Sequence, residues 1–123
     1  MIETGKTYTQ QMTVEHKDTA AEYGSGKLPV FATPAMVGLM ENTAIHCLEG
    51  MLEADQDTVG ILINTQHTKA TAVGQQVHCK ATITEVEGRR IRFEIEAWDE
   101  KGEIGKATHD RFIINPEKFM SKL

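Results

Sequence analysis

Hydrophobic residues recur along this chain with two different periods. Over residues 30–53 (VFATPAMVGLMENTAIHCLEGMLE) the spacing is helical. At roughly 100° per residue, Met36, Cys47, Met40, Met51, Ala44, Val37, Leu48, Leu52 and Ile45 cover about half the circumference, with Asn42, His46, Glu49 and Glu53 opposite. Thr33 suits an N-cap, and Pro34 suits the first helical position, where its missing N–H costs nothing. The pattern predicts one long amphipathic helix that ends in the charged turn at residues 53–57.

From Thr58 the period becomes two. Val59, Ile61, Ile63, Thr65 and His67 are expected on one face of a long strand, with Gly60, Leu62, Asn64, Gln66 and Thr68 on the other. After a turn at Gly74, Val77, Cys79, Ala81 and Ile83 form the inward face of a second strand. Glu87-Gly88 and Lys101-Gly102 separate it from two more, one carrying Ile91, Phe93, Ile95 and Ala97, the other covering residues 105–114 ahead of a polar tail. Residues 7–16 read as a strand and residues 17–28 as a flexible loop. Strands joined by short turns pair antiparallel, and one broad apolar helix face needs a sheet to cover it. The prediction is a single α+β domain over residues 1–123, with a five-stranded antiparallel sheet around one long helix. Trp98, on an otherwise polar strand face, is a candidate interface residue.

The bulk properties narrow the function. A net charge of −5 argues against electrostatic nucleic-acid binding. Residues 1–57 carry three bases against nine acids (−6), and residues 58–123 carry ten against nine (+1). Arg89, Arg90 and Arg92 make a basic patch in the second half, suited to the phosphates of a small molecule or to a solvated strand end. No stretch approaches the roughly 20 apolar residues of a membrane span, and no signal-peptide pattern opens the chain. Cys47 and Cys79 read as buried thiols in a reducing cytoplasm rather than a disulfide framework.

The chemistry starts with Glu41, a carboxylate inside the apolar helix arc. Buried there, it should have a raised pKa or a dedicated partner, because an unpaired buried charge is expensive. It reads either as a functional base or nucleophile or as a structural carboxylate satisfied by backbone or by Arg111. Thr33 reads first as a helix cap. His67 faces inward and is either a hydrogen-bonded core residue or a base, while His109 and Arg111 default to structural ion pairing. His46 and His78 carry no role. The Tyr23-Gly24-Ser25-Gly26-Lys27-Leu28 stretch is not a P-loop, since Leu28 stands where Ser or Thr would bind magnesium. No histidine has zinc-site spacing with another ligand, so no metal is expected.

VFATPAMVGLMENTA, VGILINTQHTKATAVGQQV and VEGRRIRFEIEAWDEKGEIGKATHDRFIINPEKF together resemble the fluoroacetyl-CoA thioesterase-like family, over residues 30–122. The resemblance implies a hot-dog fold and hydrolysis of a small acyl-CoA thioester. By motif it carries the catalytic threonine, glutamate and histidine onto Thr33, Glu41 and His67, and the family's glycine and late arginine onto Gly60 and Arg111. Coenzyme A is then part of the substrate, no separate cofactor is implied, and a homodimer with sites at its interface is expected. Lys69, Arg89 and Arg90 are candidates for the nucleotide phosphates. Residues 17–28 lack the longer, aromatic-containing lid of the fluoroacetate-resistance enzyme, so fluoroacetyl selectivity does not carry over. The alternatives are a non-catalytic acyl-CoA or thioester-binding module and, more remotely, a hot-dog hydratase.

Overall fold

A computed structural model describes all 123 residues. The chain runs β1 (Thr7–Thr13), a 3-10 turn (His16–Asp18), α1 (Ala20–Tyr23), α2 (Thr33–Cys47), β2 (Asp57–His67), β3 (Gln76–Glu87), β4 (Arg90–Asp99), β5 (Gly102–Ile114) and α3 (Pro116–Ser121). The five strands form one antiparallel sheet in the order β1-β3-β4-β5-β2. The sheet packs on α2, the hot-dog arrangement that the resemblance implies.

The core forms where the two periods meet. Met36, Met40, Ala44 and Cys47 of α2 are fully buried against Val77, Cys79, Ala81 and Ile83 of β3 and Ile91, Phe93 and Ala97 of β4. Removing each large side chain from water contributes roughly 1.5–3 kcal/mol. Because both termini of the sheet order are edges, β2 has one side without a strand partner.

Five expectations need correction. Helix α2 is shorter than the apolar pattern: it stops at Cys47, and Gly50, at a φ of 80°, turns the chain in the left-handed region so that Met51 and Leu52 pack from a loop. Its N-cap is Ala32 rather than Thr33. Residues 17–28 are not a loose loop, because Thr19 caps α1 by accepting the Glu22 amide. In addition, the Ala20 and Ala21 amides donate to Val30 and Leu28. The polar tail forms the short helix α3, capped by Asn115.

The most consequential correction is in β2. Its register against β5 slips between Gly60 and Leu62, leaving Ile61 as an extra residue. A one-residue bulge exchanges the faces of a strand. Thr58 and Gly60 therefore face the helix before the bulge, and Ile63, Thr65 and His67 face it afterwards. Ile61, expected inside, is 53% exposed on the free edge, and Leu62 is 44% exposed.

Candidate functional site

Two polar clusters lie at the two ends of β2. The first joins Thr33, in the first turn of α2, to His67 at the end of the strand, with Thr33 Oγ1 2.8 Å from His67 Nδ1. No other backbone or side-chain group takes up the Thr33 and Ala35 amides, which leaves them available at the helix N-terminus. Burial lowers the His67 pKa, and the Lys69 backbone partly opposes this by favouring a proton on the ring. Nε2 is shut off from water without a well-formed hydrogen bond. The ring is therefore neutral at pH 7. With its proton on Nε2, Nδ1 accepts the Thr33 hydroxyl. A cavity of about 280 Å³ opens beside this pair, walled by Ala20, Ser25, Val30, Phe31 and Ala70.

The second cluster gathers around Gly60. A Cβ on this glycine would stand 3.1 Å from Glu41 Oε2, 3.3 Å from His109 Cε1 and 3.4 Å from Arg111 Nη1. The backbone thus approaches three polar side chains because it carries none of its own. Arg111 is buried, and donates from Nε to Thr58 Oγ1 (2.8 Å) and from Nη2 to the Thr58 carbonyl (3.1 Å). Burial lowers its pKa, while the charges of Glu41 and Asp57 hold the guanidinium cationic. Glu41 is half-buried on the flank of the helix rather than enclosed, and its charge acts on Arg111 without an ion pair or hydrogen bond between them.

Neither His109 nor Arg111 enters the structural ion pair expected of it, and each is held by hydrogen bonds instead. His109 Nδ1 lies 2.7 Å from the Leu62 carbonyl and Nε2 lies 3.2 Å from Arg111 Nη1. A carbonyl only accepts and a guanidinium only donates, which fixes the neutral Nδ1–H tautomer. Burial lowers the His109 pKa, opposed by the Leu62 carbonyl and reinforced by Arg111. Thr58 and His109 are members of this cluster that the motifs did not assign a function. The alternation Gly105, Ala107, His109, Arg111 along one strand face was the available signal.

Thr33 and Glu41 are eight helical residues apart, about 12 Å along the axis. A single chain therefore brings Thr33 and His67 together and does not bring Glu41 to them. The candidate phosphate contacts also separate. Lys69 Nζ is held by Asp99 at 2.6 Å, and Arg90 by Glu85 at 2.9 Å, with Asp110 at 3.6 Å. Of the three, Arg89 alone has a side chain free of carboxylates, at the same end of the sheet as Arg111.

Comparison with known proteins places the chain in a family. Residues 14–117 match the model of the FlK family, fluoroacetyl-CoA-specific thioesterases. The chain is 42% identical over 94 residues to a fluoroacetyl-CoA thioesterase from Streptantibioticus cattleyicolor, covering 76% of this chain and 68% of that protein. A crystal structure of the fluoroacetyl-CoA thioesterase FlK superposes with a TM-score of 0.93 at 35% identity, covering 99% of this chain and 95% of that one. A thioesterase superfamily member from Thermus thermophilus superposes at 0.91 with 25% identity, over 98% and 90% of the two chains. The chain belongs to the fluoroacetyl-CoA-specific thioesterase family, a family of thioester hydrolases.

Proposed function

We propose that the protein hydrolyses a small acyl-CoA thioester to free acid and coenzyme A. We further propose that it works as a homodimer whose sites each combine the two clusters. The carrying observation is that complementary half-sites lie at opposite ends of one unpaired edge strand. Antiparallel pairing of β2 with its copy about a two-fold axis brings the His67 end of one protomer to the Gly60 end of its partner. Exposed Ile61 and Leu62 on that edge support such a contact, because an apolar edge strand in water invites pairing.

In this arrangement His67 accepts the Thr33 hydroxyl proton as the Thr33 oxygen attacks the thioester carbonyl. The Thr33 and Ala35 amides and the partner's Gly60 amide lie where the oxyanion develops. Coenzyme A leaves as the thiolate and takes the proton from His67. Water then attacks the acyl-threonine while the partner's Glu41 accepts its proton, and that proton passes on to the Thr33 oxygen as it leaves, freeing the acid and restoring the Thr33 hydroxyl and the partner's Glu41 carboxylate. No step requires a metal or cofactor beyond the substrate. The 280 Å³ cavity suits a short acyl group, and Arg89 remains the proposed contact for the nucleotide phosphates. A cytoplasmic setting suits Cys47 and Cys79, both buried and unpaired, with burial pushing the Cys79 thiol up to about 11.

Mixing two inactive variants tests the composite site. Thr33→Ala and Glu41→Gln should each lose thiol release from a panel of short acyl-CoAs, with kcat down roughly 10²–10⁴-fold. After denaturation and refolding together, half the dimers are mixed and each has one intact site, so about one quarter of parental activity should return. Recovery of none would place all three residues in one chain's site. An acyl-CoA bound by the parent protein without thiol release would make it a binding module.

A further inference from the structure

His109 touches neither Thr33 nor the cavity beside it, yet it is the most constrained polar side chain near Gly60. It is 1% exposed, stacked on Phe93 with ring centroids 6.1 Å apart, and both of its nitrogens are engaged. The Leu62 carbonyl that it holds belongs to the β2 bulge, and the bulge turns Gly60 toward Glu41. The nitrogen it accepts from, Arg111 Nη1, is the one nearest the hollow over Gly60. One imidazole therefore ties the backbone of that hollow to its cation.

We propose that His109 is a positioning residue, held as the neutral Nδ1–H tautomer between the bulge carbonyl of Leu62 and Arg111. In this role it aims the Arg111 guanidinium into the hollow over Gly60, where Glu41 acts. The proposal rests on the thioesterase reading for its kinetic consequence but not for its tautomer. The groups around the ring are consistent with it. Arg111 on the same strand opposes a proton on Nε2; Glu41 on α2 and the neighbouring Asp110 favour one. Asp110 is engaged on the outer face by Arg92 Nε and Nη2, at 2.7 and 2.9 Å. Protonated His109 would set an Nε2–H against an Arg111 N–H, two donors without an acceptor.

The tautomer is read without substrate. ¹⁵N NMR of the imidazoles, assigned with His109→Gln, should show His109 protonated on Nδ1 and bare on Nε2 at pH 7. An Nε2–H or doubly protonated ring overturns the proposal whether or not any acyl-CoA is cleaved.

The positioning role is read kinetically. His109→Phe fills the ring volume and removes both contacts; kcat should fall about 100-fold with KM within about threefold, the size of losing one oriented donor. His109→Gln returns an amide oxygen toward Arg111 Nη1 and should recover at least tenfold of that loss. Combining His109→Phe with Arg111→Lys should cost little more than Arg111→Lys alone, because the first acts through the second. Equal loss in the Gln and Phe variants, or multiplicative loss in the double variant, would make His109 a packing residue only. If His109→Phe does not fold, the Gln variant and the tautomer measurement still decide.

Discussion

The two ends of β2 solve different problems with the same strand. At the His67 end the machinery is spare: one hydroxyl, one imidazole, free amides of a helix N-terminus, and an open cavity. At the Gly60 end it is dense, with a buried guanidinium, a tautomer-fixed histidine and a carboxylate crowded over a backbone without a side chain. A neutral hydroxyl–imidazole pair needs few supports, since neither partner is charged. A buried cation beside a carboxylate needs every donor satisfied, because unpaired charge in low dielectric is costly. Thr58 and His109 accept from the Arg111 guanidinium, and the Leu62 carbonyl in turn holds His109. The bulge lets one strand serve both ends by facing Gly60 and His67 toward the same helix.

Gly60→Ala breaks the dense end most sharply. The new methyl would meet Glu41 Oε2 at 3.1 Å and His109 Cε1 at 3.3 Å, so the flexible carboxylate swings aside and the His109 ring gives by a few tenths of an ångström, with no backbone atom in the way. Gly60 is not among the glycines with positive φ, so alanine is not strained there and restricts the unfolded chain. Activity should fall roughly 100-fold, while the thermal midpoint stays level or rises by a few degrees. A fall in midpoint matching the loss of activity would show that Gly60 is needed for folding rather than for Glu41. The corresponding insult at the spare end, Thr33→Ser, keeps the hydroxyl and should stay within about tenfold of the parent.

How much of this was legible beforehand follows the same division. Thr33, Glu41, His67, Gly60 and Arg111 were singled out by a family resemblance carried by short motifs, and the structure sets Thr33 beside His67 and Glu41 and Arg111 beside Gly60; periodicity independently flagged Glu41 as misplaced. The helix, the strand count and the antiparallel order followed from two hydrophobic periods and glycine turns. The bulge did not, because Gly60-Ile61-Leu62 looks like unbroken alternation, and only pairing with β5 shows Ile61 to be the extra residue. That slip misplaced Val59 and Ile61 and hid the approach of Gly60 to Glu41. The ordered turn at Thr19 was missed although Thr19 and Glu22 have capping-box spacing, a local signal outweighed by the surrounding polar composition. The separation of Glu41 from Thr33 could be estimated from helix rise, but its meaning depends on a second chain.

The pH response should separate the two histidines by role. Both have pKa values lowered by burial, so both stay neutral below the ordinary imidazole value of about 6.5. As base, His67 should hold the acid limb of kcat/KM below pH 6.5. For stability the sign runs the same way: the unfolded chain binds protons that the folded chain refuses, so stability falls as pH drops below about 6.5. His109→Gln should reduce that slope without moving the kinetic limb. His67→Ala should lower activity several-hundred-fold and remove the limb. A limb that stays in place in His67→Ala, or moves in His109→Gln, would exchange the roles of the two ends.

Lys69 carries the smallest expected effect on activity and sets the outer limit of the spare end. It lines the cavity beside Thr33 and His67, but its ammonium is committed to Asp99, whose side chain is fully enclosed. Burial would push Asp99 up, yet Lys69, the Thr71 hydroxyl and the Lys101 amide together hold it below the usual carboxylate range. This carboxylate ties the β4–β5 turn to the segment after β2, and releasing Lys69 to a phosphate would leave it short of its only cation. Lys69→Met keeps the aliphatic stem and removes the charge. Two hydrogen bonds to Asp99 survive and Lys69 is itself partly solvated, so the loss should be about 1–2 kcal/mol, well short of breaking a fully buried pair. The expected outcome is a lower thermal midpoint with KM for acyl-CoA unchanged within about twofold. A KM raised tenfold at an unchanged midpoint would instead make Lys69 a phosphate contact that gives up Asp99 when substrate binds.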